Sequence, residues 1–549
     1  MQPLPVNVNV PVPVDESPVR EPDHDPDHDP DPDPDPDPDR DLDLDLDLDL
    51  DLDLDLDHDH DLDPDPDPDP DLDRDPRWPL LSSLALSRFG VSSFRPGQRE
   101  LIGSVLAGRD ALGVLPTGGG KSLAYQLPSL VLGGPVVVVS PLIALMKDQC
   151  DHLDDANIDA AELDSTLTAS EERDTEREIR AGEHPLIYVT PERLRTEACL
   201  RMLRARGVKL LAIDEAHCVS AWGHDFRPAY MAIAKAAEAL GRPPILALTA
   251  TATSETAADI VRALGLRAPL VVRTSVVRPN LAFHVERTVN EMAKRVALLR
   301  LFDDEPGPGI VYTATVKKAD ELYRWTAASR IPVARYHGRM SAADRERSRA
   351  HFMDGTVRVM IATKAFGMGI DKPDTRFVVH YQVPDSIESY AQEAGRAGRD
   401  GRSARCVLLY RLEDKSVQTF FIARKYATRG EIAKVVAAAG RAGVGAGERS
   451  GDELRAIALE TGVSVKRVDA ILGCLARLES GGGGRDAGGD ACGAIAAEYE
   501  RRRTRDAERL AAMLHYAQST QCRRVAVAEY FGEAGSARCG RCDACEGGR

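Results

Sequence analysis

Between residues 78 and 412 the chain alternates two patterns. Short runs are apolar at nearly every position: "PVVVVS" (135–140), "LIYVT" (186–190), "LLAID" (210–214), "ILALT" (245–249), "GIVYT" (309–313) and "VRVMIAT" (357–363). Between them lie stretches whose apolar residues return every three or four positions. A strand without a polar face is buried on both sides, and amphipathic helices supply the cover. The pattern therefore predicts parallel sheets sandwiched between helices. One such sheet cannot use up so long a stretch, so two tandem α/β domains are expected, over residues 78–283 and 284–412.

From 413 to 549 the helical period continues without long apolar runs. "SGDELRAIALETGVSVKRVDAILGCLARLES" (450–480) predicts two helices joined by a turn at Thr461–Gly462, the second capped by Ser464. Val468, Ile471, Leu475 and Leu478 fall on one face of that second helix. The pair reads either as a helix-turn-helix, with Lys466 and Arg467 near the start of its recognition helix, or as a packing hairpin. Glycines across 481–493 predict a linker, and 495–517 predicts a further helix.

The first 77 residues follow neither period. Every odd-numbered position from Asp23 to Asp75 is Asp, and residues 1–76 hold 30 acids against 3 bases. Like charges along one face oppose strand pairing, and no apolar surface offsets the entropy of ordering. Residues 1–77 are expected to be a disordered acidic tail. Two roles stay open for it: a solvated extension, or a competitor with DNA phosphates for the rest of the chain. The tail also changes the meaning of the net charge of −18, because residues 77–549 carry 67 bases against 58 acids. The body is basic, which suits a polyanionic partner.

No apolar run is long enough to predict a membrane span, and the N-terminus lacks the basic region and apolar core of a secretory signal. A cytoplasmic protein without membrane contact is expected. Ten cysteines among 549 residues do not make a disulfide scaffold.

Chemistry first enters at "LPTGGGKSLAYQLPSL" (115–130). Thr117, Gly118, Gly119 and Gly120 form a loop whose N–H groups can turn inward around phosphates, and the helix starting near Lys121 adds its positive end. In such loops the lysine, here Lys121, reaches the β- and γ-phosphates and the hydroxyl, here Ser122, holds Mg²⁺. Leu115 stands where the strict pattern has glycine. Asp214 ends an apolar run, placed to order Mg²⁺, and Glu215 follows it, placed to take a proton from the attacking water. Together these residues predict nucleoside triphosphate hydrolysis. In "QEAGRAGRDG" (392–401), Arg396 and Arg399 have the spacing of arginine fingers, which would put the nucleotide between the two domains.

Directly after the acids, "CVSAWGHDFRPAY" (218–230) interleaves Trp222, His224, Phe226, Arg227 and Tyr230 with turn-forming residues. Such a loop is a poor core segment but offers stacking faces and a cation to nucleic-acid bases and phosphates. Finally, Cys522, Cys539, Cys542 and Cys545 are spaced C-x16-C-x2-C-x2-C, a metal-binding pattern that suits Zn²⁺ or an iron–sulfur cluster.

In this order the segments resemble superfamily 2 helicases, and specifically the RecQ family of DNA helicases. "FGVSSFRPGQRE" (89–100), "SPLIALMKDQ" (140–149), "TPERL" (190–194), "LTATAT" (248–253) and "ATKAFGMGIDKPD" (362–374) complete the series, and the likeness covers residues 80–412 and 515–545. It implies two RecA-like domains followed by a helical zinc-binding module, with zinc rather than an iron–sulfur cluster on the four cysteines. It implies that Gln98 bonds the adenine edge, with Arg95 beside it and Phe89 stacking. It places Asp371 among the nucleotide-binding residues and Gln392 among the catalytic ones, and makes His217 the relay between the aromatic loop and the ATP site. Cofactors would be ATP, Mg²⁺ and Zn²⁺.

The substrate implied is single-stranded and branched DNA, traversed 3′ to 5′ by a monomer in recombination and repair, in the bacterial cytoplasm or nucleoid. A single-stranded-DNA-binding protein or a topoisomerase would be the partner. Many family members continue into a winged-helix domain, for which nothing remains after Cys545, so an alternative expectation is a translocase or remodeller that unwinds weakly. An RNA helicase and an ATP-switched DNA-binding regulator are the rival classes.

Overall fold

Seven strands build the first sheet: β1 (Ala111–Val114), β2 (Val136–Val139), β3 (Ala160–Leu163), β4 (Leu186–Val189), β5 (Leu210–Ile213), β6 (Ile245–Thr249) and β7 (Leu270–Arg273). All are parallel, in the order β3-β4-β2-β5-β6-β1-β7. The computed structural model describes residues 75–220, 227–367, 370–444, 449–480 and 491–547. Expectations for residues 1–74, for Trp222, His224 and Phe226, and for the linker at 481–490 lie outside these.

Successive side chains of a strand point to opposite faces, and here both faces are covered. Val137 and Val139 enter one core while Val136 and Val138 enter another, and Leu211 and Ile213 part from Leu210 and Ala212 in the same way. That double burial is why the runs read as unbroken apolar stretches.

The second sheet holds β8 (Leu281–Arg287), β9 (Gly309–Tyr312), β10 (Val333–Tyr336), β11 (Val359–Ala362), β12 (Phe377–His380) and β13 (Ala404–Tyr410). Its order is β10-β11-β9-β12-β13-β8, again all parallel. The boundary expected at 283/284 falls inside β8; the sheets divide between Arg273 and Leu281. As an edge strand pairing only with β13, β8 carries polar His284, Glu286 and Arg287, so its pattern is weaker than that of the central runs.

The expected 413–549 region is two packing units. Met513, Tyr516, Ala517, Val527 and Phe531 join the core of the second lobe. Separately, the helices Arg429–Ala442, Gly451–Thr461 and Val465–Ser480 enclose their own core with the first half of the helix Ala491–Gln518, through Ile432, Val435, Ile457, Val468, Ile471 and Ile495. Capping boxes at Thr428 with Glu431 and Ser450 with Glu453 start two of these helices. The inserted unit is thus wider than 450–480. Arg467 donates to Glu431 and to the Arg424 carbonyl, both at 2.6 Å, so it serves packing, while Lys466 is exposed. Leu478 is 44% exposed and leaves the buried face expected for it. At the other end, Arg77 bonds Asp75 and the Leu106 carbonyl, so residues 75–77 are tied to the first lobe ahead of Trp78.

Candidate active site

β5, β6 and β1 lie side by side and end at one edge of the first sheet, where parallel α/β sheets bind ligands. After β1 the chain turns through Gly118 and Gly120 at φ +79° and +73°, a conformation that disfavours any residue with a β-carbon. Lys121 follows, its Nζ donating to the Leu115 carbonyl at 3.4 Å. Gln98 braces the loop: its Nε2 donates to the Gly120 carbonyl at 2.8 Å and its Oε1 accepts from the Arg95 amide at 2.8 Å. Arg95 in turn donates to the Gly118 carbonyl. The pair expected at the adenine therefore also shapes the phosphate loop.

Beside Arg95 opens a groove of about 530 Å³, walled by Ser82, Val91, Phe94 and Arg99. Phe89 does not line it. Phe89 ends the helix Trp78–Phe89 and is partly buried against two apolar cores.

Beyond β5, Asp214 Oδ1 accepts from the Glu215 amide at 2.9 Å. Glu215 is left-handed, at φ +48°, a costly conformation for a residue with a β-carbon. Its Oε2 lies 3.3 Å from His217 Nδ1, which lies 3.0 Å from Thr249 Oγ1 at the end of β6. Thr249 Oγ1 donates to the Thr251 carbonyl at 3.1 Å. His217 thus links the acids to the "LTATAT" segment. Burial pushes the Asp214 carboxyl up to about 6, with Glu215 adding to the shift and Lys121 opposing it. Lys121 is held below its ordinary value by burial; Glu215 and Asp214 pull the other way, and Arg399 and Arg396 add to the depression. Two adjacent, partly buried acids that resist ionising together form a donor set that suits a divalent cation.

The second lobe supplies the opposite wall. Arg396 and Arg399 follow the helix Ile387–Ala394, on which Gln392 is half-buried. Arg396 is 6% exposed, and Arg399 Nη1 pairs with Asp371 Oδ1 at 2.8 Å. Asp371 is thus the ion-pair partner of Arg399. A β-carbon on Gly118 would lie 3.2 Å from Arg399 Cγ, and one on Gly395 would lie 3.1 Å from Thr117 Cβ. The lobes meet through glycines, with Arg396 and Arg399 inside the junction.

At the C-terminus, Cys522, Cys539, Cys542 and Cys545 bring their sulfurs within 4.8 Å of one another. Cys522 Sγ lies 3.5 Å from Cys539 Sγ and 3.9 Å from Cys542 Sγ. Tetrahedral zinc with bonds of about 2.3 Å needs sulfurs roughly 3.8 Å apart, so the four thiols fit the ion. Behind them, Arg523 bonds Asp543 through Nε at 3.0 Å and Nη2 at 2.7 Å.

Three families match along the chain: DEAD/DEAH box helicase over residues 95–260, the helicase conserved C-terminal domain over 293–401, and RecQ zinc-binding over 489–546. The ATP-dependent DNA helicase RecQ of Bacillus subtilis is 44% identical over 342 residues, which are 62% of this chain and 58% of that protein. The ATP-dependent DNA helicase RecQ of a Synechocystis species is 38% identical over 360 residues, 63% of this chain and 75% of that protein. The chain belongs to the RecQ family of ATP-dependent DNA helicases. It spans little more than half the length of the Bacillus relative. The structure of Mycobacterium smegmatis helicase Lhr bound to ssDNA and AMP-PNP shares the fold, with a TM-score of 0.51 at 20% identity, covering 72% of this chain and 57% of that one.

Within this RecQ scaffold one aromatic-loop assignment changes. Tyr230 is fully buried, and its hydroxyl donates to the Asp214 carbonyl at 3.1 Å, so it offers no face to a base and instead supports the acids. Arg227 Nη1 donates to the Pro141 carbonyl at 2.6 Å, tying the loop's end to the "SPLIALMKDQ" segment. Sequence reasoning also missed Arg278, between β7 and β8. Its Nη1 donates to the Gly398 carbonyl at 2.9 Å and its Nη2 to the Gly395 carbonyl at 2.7 Å. A single arginine in a basic chain has no periodicity to mark it.

Proposed function

We propose that the chain hydrolyses ATP at the junction of its lobes and uses the cycle to move 3′ to 5′ along single-stranded DNA and separate duplex strands. The observation that carries this reading is Arg399 of one lobe lying over Gly118 of the other, beside Lys121 and the Asp214–Glu215 pair. A nucleotide held by one lobe and completed by the other makes hydrolysis a change in how the lobes are held.

In this mechanism the amides of 117–120 and Lys121 bind the β- and γ-phosphates. Glu215 accepts the proton of the attacking water, and Arg396 and Arg399 stabilise charge spreading over the transferred phosphoryl group. Ser122 and Asp214 are the residues that would hold Mg²⁺, which supplies charge neutralisation on the phosphates when bound. Arg95 borders the groove, and it and Gln98 are proposed to read the base. His217, between Glu215 and Thr249, carries the state of the 218–230 loop to the acids, and Trp222, His224, Phe226 and Arg227 are proposed to meet DNA.

DNA as substrate is supported by membership of the family. Among the described residues no helix is long and apolar enough to cross a membrane, and the cytoplasm or nucleoid is the proposed place of work. A monomer acting in recombination and repair, alongside a single-stranded-DNA-binding protein or a topoisomerase, completes the reading. The test compares ATP turnover with and without single-stranded DNA, and strand separation of 3′-tailed DNA, 5′-tailed DNA and 3′-tailed RNA duplexes. Stimulation by DNA and separation of the 3′-tailed DNA duplex alone are expected. Equal activity on the RNA duplex, or turnover indifferent to DNA, would rule the reading out.

A further inference from the structure

The segment joining the sheets, residues 274–280, does more than span a gap. Arg278 donates to the carbonyls of Gly395, Ala397 and Gly398, the residues that flank Arg396 and precede Arg399. Asn280 Nδ2 adds bonds of 2.7 Å each to the carbonyls of Gly398 and Arg402. On its other side the Arg278 guanidinium faces the phosphate loop: a β-carbon on Gly118 would lie 3.6 Å from its Nη1. Upstream, the Val276 amide donates to Glu533 at 2.6 Å, so the linker is anchored as well as attached.

We propose that Arg278 is a positioning residue for hydrolysis, holding the main chain of the finger turn so that Arg396 and Arg399 stand in register with Lys121. The proposal rests on the hydrolytic reading above and deepens it. A turn rich in glycine, with Gly395, Gly398 and Gly401 among ten residues, does not hold two cationic side chains in place by itself. A planar guanidinium spans several carbonyls at fixed angles, which a single ammonium cannot do. Burial, with Arg399 nearby adding to it, lowers the Arg278 pKa to about 10, which leaves the group charged at neutral pH. The same residue lies in the segment that covalently joins the two sheets, so the connection and the arginine turn are braced by one side chain.

The test uses the full chain carrying Arg278→Gln, Arg278→Lys, Arg399→Gln, or Arg278→Gln with Arg399→Gln. Zinc content and thermal unfolding verify folding. Displacing reactive groups by an ångström costs on the order of 100-fold, so kcat should fall roughly 10- to 100-fold in both Arg278 variants, with KM for ATP within about threefold. Because Arg278 acts through Arg396 and Arg399 together, the double variant should lose clearly less than the product of the two single losses. Multiplicative losses in the double variant, an unchanged kcat, or full activity with Lys would each overturn the proposal. Should Arg278→Gln misfold, the Lys variant and its pairing with Arg399→Gln decide by the same criteria. A wild-type chain without turnover would instead remove the hydrolytic reading itself.

Discussion

Arg399 reaches across the cleft to lie against Gly118, its Cγ 3.2 Å from where a β-carbon on that glycine would sit. The phosphate loop and the finger turn thus share one small volume, and each must stay bare for the other to fit. Arg399→Ala should lower DNA-stimulated kcat about 10³-fold while changing the affinity for a fluorescent ATP analogue less than about tenfold. Loss of binding in parallel with turnover would show that the arginine serves the ground state only.

Glu215→Gln should cut turnover about 10²- to 10⁴-fold and leave ATP binding intact, because it removes the proton acceptor without removing a hydrogen-bonding side chain. Single-turnover hydrolysis beside equilibrium binding checks this. Unchanged turnover would put the base elsewhere.

Asp214 makes a prediction about pH. Its carboxyl moves from 3.8 to about 6 on folding, so the folded state binds its proton more tightly than the unfolded state. Stability therefore falls as pH rises from about 4 to about 6, and the whole cost, on the order of 3 kcal/mol, is present above that window. Asp214→Asn removes the cost. In the absence of nucleotide and Mg²⁺ the variant should melt higher than wild type at pH 7.5, by a margin that shrinks at pH 4.5, although it no longer turns over ATP. A lower melting temperature at pH 7.5 would contradict this account.

Two aromatic residues eight positions apart should behave differently. Trp222→Ala is expected to lower DNA stimulation more than the DNA-independent rate. Tyr230→Phe loses only the bond to the Asp214 carbonyl, about 1 kcal/mol of stability, and should affect both rates alike. Denaturant midpoints and ATPase rates with and without single-stranded DNA separate the cases.

Removing zinc should destabilise more than the last thirty residues. Tyr516 and Val527 belong to the core of the second lobe, and Arg523 ties the carbonyl of Tyr516 to Asp543 within the cysteine cluster. A structural zinc site supplies on the order of 10 kcal/mol of folding energy. Chelation, or Cys542→Ser, should therefore lower the first thermal transition and cooperative unfolding of the second lobe with it. A second lobe that melts unchanged after metal release would refute this coupling.

Much of this molecule is legible in its residues because phosphate binding and thiolate ligation demand fixed spacings along one segment. The loop at Lys121, the acids at 214–215 and the four cysteines are such segments. The central strands could be read because both of their faces are buried. Contacts made across the fold left no such trace. Nothing local distinguishes Tyr230, which supports Asp214, from the aromatics before it. Arg278 acts on carbonyls more than a hundred residues away, and main-chain acceptors have no sequence signature. The inserted helices were half visible: their caps and periodicity could be read, but the role of Arg467 depended on Glu431, a partner outside the pair.

The helix Ala491–Gln518 runs for 28 residues, roughly 42 Å of unbroken rod. Ile495 and Tyr499 near one end sit in the core of the inserted helices, and Met513 and Tyr516 near the other sit in the core of the second lobe. The insertion is therefore bolted to that lobe like an outrigger. A push on the insertion is transmitted to the second lobe along a rigid lever rather than lost in a loop.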